Sequence, residues 1–177
     1  MKKINTIGLI LTAVSIYSCQ QPMEKARLEE EYDLNLFFEN EIAKLKKVNP
    51  TVKKTVSNGK SNETKEVNIT DWQKELAHFT GINLNKMSAN GLNKTINGDT
   101  VIYSSSLQDS KEKLIVKLIA NQEHPSEILI YKEINNLLFN NQEHLHYKAD
   151  ALYEIIKKQK VKGMGENLYH IKGEILP

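Results

Sequence analysis

A single cysteine, Cys19, and a single arginine, Arg27, stand in a chain of 177 residues. One sulfur leaves no partner for an internal disulfide. If Cys19 is used elsewhere, thiol catalysis has no nucleophile. One guanidinium is too few for bidentate reading of phosphates or bases. Long apolar runs are missing as well. The longest, Ile4 to Ile16, falls short of the ~20 residues a bilayer-spanning helix needs. Large single-sign charge is absent too: 24 basic residues face 22 acidic ones. Lys2 and Lys3 lie in the apparent leader, so the remainder balances at 22 against 22. Without a basic stripe, nucleic acid is not an expected partner.

What is present begins at the N-terminus. Met1-Lys2-Lys3 supplies a positive start, Ile4 to Ile16 an apolar stretch, and Ser18 a small residue before Cys19. That order suits a secretory signal. Ile16-Tyr17-Ser18-Cys19 resembles the lipobox of bacterial lipoproteins, in the looser form found in Bacteroidota, with Tyr17 departing from the small residue usual there. The resemblance implies a signal peptide over 1–18, cleavage before Cys19, and lipid attachment (diacylglyceryl, then palmitate-type acylation) at Cys19. Two or more acyl chains anchor a protein stably, at ~0.8 kcal/mol per buried methylene. Residues 19–25 then form a lipidated tether. Gln20 behind the cysteine implies an outer-membrane anchor facing the periplasm, since the first acidic residue is Glu24 and no surface-export cluster follows Cys19 directly.

Residues 26–177 read as one domain of ordinary size, with 40% hydrophobic residues for a core and 26% charged residues for a soluble surface. A helix is expected over about Ala26 to Val48, with Leu34, Phe38, Ile42 and Leu45 on one stripe, ended by Asn49-Pro50. A lysine-rich hairpin follows around Asn58-Gly59. Thr70-x-x-Gln73 suggests a capping box that opens a short helix to about Phe79. Strands are expected over 92–96, 100–106, 113–120, 127–134, 136–139 and 143–148, then a helix over Asp150 to Lys160 and a last strand after Gly163-Met164-Gly165. The fold class expected is therefore α+β: an antiparallel sheet with a long N-terminal helix and two shorter helices packed on it. This order resembles that of Bacteroidota lipoproteins, a likeness that adds localisation and fold but no mechanism.

Candidate chemistry is sparse. His144 and His146 follow Glu143 at i and i+2, so both imidazoles leave one face of a strand and can address one metal if a third ligand, His170 or His124, joins them. The same pair also reads as polar decoration of a half-buried strand. "NQEH" occurs at 121–124 and 141–144, but its flanks do not repeat. Gly163-x-Gly165 follows a helix-like stretch and lacks a third glycine, so it reads as a cap and turn. Lys157 to Lys162 suits a helix C-terminus or a membrane-facing patch. Asp99-Thr100-Val101 is similar to the short O-glycosylation sequon of Bacteroidota envelope proteins, which implies Thr100 as a glycan site.

The function expected is a non-catalytic binding or accessory module with no cofactor. Its partners would be the membrane, through Cys19, and a hydrophobic ligand or an envelope protein. The alternatives are a small metal-dependent hydrolase using His144 and His146, or a purely structural envelope protein.

Overall fold

The computed structural model describes residues 30–88, 91–105, 111–120 and 124–177. The expected signal segment, Cys19 and the tether lie outside these residues. Helix α1 runs Leu34–Val48. Strands β1 (Thr51–Ser57) and β2 (Asn62–Asn68) follow, then two short helices, α2 (Trp72–Glu75) and α3 (Leu84–Ser88). Seven strands complete the chain: β3 (Leu92–Asn97), β4 (Thr100–Ser105), β5 (Glu112–Ile119), β6 (Glu127–Asn135), β7 (Phe139–Lys148), β8 (Leu152–Val161) and β9 (Gly165–Ile175). All nine form one antiparallel sheet in the order β2-β1-β9-β8-β7-β6-β5-β4-β3. Strands β3 to β9 are a plain meander, and the β1–β2 hairpin adds at its far side, against β9.

Each local element has a visible cause. Asp33 caps α1, its carboxylate accepting from Leu36 N at 3.0 Å. Asn49, left-handed at φ 48, closes the helix before Pro50. The stripe Leu34, Phe38, Ile42 and Leu45 is buried. In the first hairpin, Asn58 Oδ1 accepts from Lys60 N and Ser61 N, and Gly59 takes the positive φ that the turn requires.

The helices cover one face of the sheet. Phe38 and Phe79 pack on Tyr147 with ring centroids 5.2 and 6.0 Å away, and Trp72 meets Tyr153 edge-on at 6.0 Å. Tyr147 and Tyr153 are fully buried sheet residues whose hydroxyls donate to Glu41 on α1 at 2.6 Å and Glu75 on α2 at 2.7 Å. Tyr153 lies over Gly173, where any β-carbon would collide with its ring. Among the described residues no helix packs on the opposite sheet face.

The α+β expectation is overturned. Strands hold 54% of the described residues and helices 17%. The expected long N-terminal helix is replaced by a 15-residue one that starts at Leu34, where Asp33 provides the cap. The part of that expectation that falls on 26–29 lies outside the described residues. Asp150 to Lys160 is not a helix: the segment is β8, held in ten-residue registers against β7 and β9. The two strands expected at 136–139 and 143–148 are one, β7, which starts at Phe139 and leaves Asn136 to Leu138 in the turn. Asp71, not Thr70, caps α2, accepting from Lys74 N at 3.0 Å, and that helix lasts one turn.

Candidate functional site

On the uncovered face, β5 to β8 contribute Ile115, Leu129, Tyr131 and Ile156, with His144 and His146 from β7, to a groove of about 330 Å³. His144 and His146 do share this face, as their i, i+2 spacing requires. His144 stacks on Tyr131 at 4.8 Å, while His146 Nε2 is bonded to Glu127 at 2.6 Å. His170 lies on the same face but is bonded to Glu154 at 2.7 Å. His124 sits in the β5–β6 connection, off the sheet. Burial, then the hydrogen bond to Glu133, pushes the Tyr131 hydroxyl up to about 12. Among the described residues no three His, Cys, Asp or Glu side chains converge as a metal set. The groove is therefore apolar at its floor, with the His146 imidazole engaged by Glu127 and the His144 ring stacked on Tyr131.

The covered face carries a second polar group at one end of the core. Glu143 is the one buried charged residue found among the described residues, 8% exposed. It meets His78 Nδ1 at 3.5 Å, Lys157 Nζ at 3.3 Å and Lys132 Nζ at 3.8 Å. The hydrogen bond from His78, reinforced by Asn141 and Lys132 against the opposing effect of burial, holds Glu143 down at about 2. Lys132 also donates to the His78 carbonyl at 2.6 Å, and burial lowers its pKa.

Beside this cluster the sheet and the α3 segment part to leave a cleft of about 640 Å³. Leu114, Lys132 and Ile134 form its sheet side; Ile82, Asn83, Lys86 and Met87 form its roof. The positions follow from local chemistry. Gly81, at φ +82, turns the chain after α2, and its N–H is accepted by Asn35 Oδ1 at 2.9 Å. Asn83 Oδ1 then accepts from Lys86 N at 2.8 Å and starts α3 across the strand ends. A space of this size, walled by two layers and mostly apolar, has the form of a small-molecule site. The uncovered groove has half the volume and a single wall.

The structure places Thr100 at the β3–β4 turn, half-buried, its hydroxyl donating to Asp99 at 3.1 Å. Cys19 lies outside the described residues. Gly163 sits in the β8–β9 turn and Gly165 opens β9, both with positive φ. Sequence reasoning missed Glu143, Lys132 and the α3 cleft. The one available signal was Lys132-Glu133 interrupting the apolar run Ile128 to Ile134, with Lys132 in alternation with the buried Ile128 and Ile130. No family model, no curated protein and no solved structure matches the chain.

Proposed function

We propose that this chain is an envelope lipoprotein, held to the membrane by lipid on Cys19, whose folded part is a non-catalytic binding module. Its ligand is hydrophobic and sits in the cleft between α3 and the ends of β5 and β6. The observation that carries this reading is the cleft itself: about 640 Å³, walled by Ile82, Met87, Leu114 and Ile134 between two layers. The engagement of His146 with Glu127 and His170 with Glu154 supports binding over metal-dependent hydrolysis. The lipobox-like Ile16 to Cys19 supports the anchor, and Gln20, with the first acidic residue only at Glu24, supports an outer-membrane position facing the periplasm.

Native mass spectrometry of the protein isolated from its own envelope tests the module. A small organic mass that is lost on denaturation is the expected result. A divalent metal would favour the hydrolase, and a bare mass would remove the ligand. Labelling with palmitate tests the anchor: wild type takes the label, and Cys19→Ala does not. Protease treatment of intact cells that removed the domain would place it on the outside instead.

A further inference from the structure

The cleft and the buried charges meet at one residue, Lys132, which lines the cleft and belongs to the Glu143 cluster. In that cluster one carboxylate faces two ammonium groups and an imidazole, so positive charge exceeds negative wherever the lysines are protonated. The exposed Lys86, Lys111, Glu112 and Lys113 also line the cleft, and the Lys113 ammonium reaches the Tyr131 ring at 5.7 Å on the other face. A partly desolvated cation beside an apolar floor, here Lys132, is complemented by an anion with an apolar tail. The chain also enters the domain close by. Glu31 N donates to Asn85 of α3 at 2.7 Å, and the Glu31 carboxylate meets Ser88 and Lys94.

We infer that the cleft takes a single-chain amphiphile with an anionic head group, a carboxylate or a phosphate, its tail against Ile82, Met87, Leu114 and Ile134 and its head toward Lys132. This inference rests on the proposal that the cleft is the ligand site, and it adds the head-group charge.

The test uses the full chain in its own membrane with three photoactivatable twelve-carbon probes: a carboxylate, a phosphate monoester and the neutral alcohol. Cross-linked peptides are mapped by mass spectrometry, and yields are normalised to the probe present in the membrane. A hydrogen bond to a charged group predicts about tenfold more labelling of the α3, β5 and β6 segments by the two anions than by the alcohol. Lys132→Met, which keeps the side-chain length, should level the three probes. Met87→Trp, which fills the cleft from its roof, should remove labelling by all of them. Equal labelling by anions and alcohol in wild type would overturn the head-group inference while leaving the cleft as a site. No labelling of these segments by any probe would overturn both. A preference for only one anion would support the inference and identify which head group is bound.

Discussion

Tyr147 and Tyr153 stand opposite one another in the β7–β8 register, yet their hydroxyls secure different helices, Tyr147 reaching Glu41 on α1 and Tyr153 reaching Glu75 on α2. One pair of neighbouring strand residues thus ties both helical segments to the centre of the sheet. Each bond joins a buried phenol to a carboxylate, and Glu75 is further paired with Lys54 at 2.7 Å.

Replacing either tyrosine by phenylalanine should lower unfolding free energy by about 2 kcal/mol, the scale of a hydrogen bond to a charged group. Urea denaturation reads the change. Burial, then the bond to each glutamate, raises both phenol pKa values well above the usual tyrosine value. The proton is therefore kept in the folded state, and this contribution is present below about pH 10 and lost above it. In the Phe variants the alkaline decline of stability should be shallower.

Gly173 has no room for a side chain under Tyr153. Gly173→Ala should cost about 1–3 kcal/mol through overpacking. Tyr153→Leu in the same chain should shrink that increment, since the colliding ring is gone. Additive losses in this double-mutant cycle would show that the clash is relieved elsewhere.

Glu143 gives the fold an acid limit. Its folded pKa of about 2 lies below the ordinary 4.5. Its contribution is therefore complete above about pH 4.5 and is lost as pH falls toward about 2. The displacement corresponds to about 3 kcal/mol. Glu143→Gln should be less stable by this order at pH 7, and the gap to wild type should close near pH 2. A gap independent of pH would remove the ionised carboxylate from the account.

Asp33 marks the true start of α1, so Asp33→Ala should cost about 1 kcal/mol. Circular dichroism across a thermal melt would register it as a lower midpoint with little change in strand signal.

Several of these positions were legible in the sequence. The four-four-three spacing of Leu34, Phe38, Ile42 and Leu45 marks the buried face of α1, and Leu114, Val116 and Leu118 mark that of β5. Asn58-Gly59 and Asn97-Gly98 mark two turns because glycine supplies the positive φ there. β8 was not legible, for a physical reason. Leu152, Ile155 and Ile156 have helical spacing, but Ile155 points to the core while Leu152 and Ile156 lie on the uncovered face. Apolar residues on both faces erase the two-residue alternation, and pairing on both sides then decides the conformation. The cleft escaped for another reason. Its walls come from α3, β5 and β6, far apart in the chain, and no short pattern encodes their meeting.

The contact between β1 and β9, with Val52 opposite Ile175, has a kinetic consequence. The first hairpin can form its own turn early, because β1 and β2 are adjacent in sequence. Its place in the sheet cannot exist until a strand more than a hundred residues downstream has joined the meander. Closing so long a loop is entropically expensive, and contacts of this range slow folding. Until β9 arrives, the β1 edge that it covers in the finished sheet stays open to other strands. This seam is where a folding helper, or a misfolded neighbour, would find the protein first.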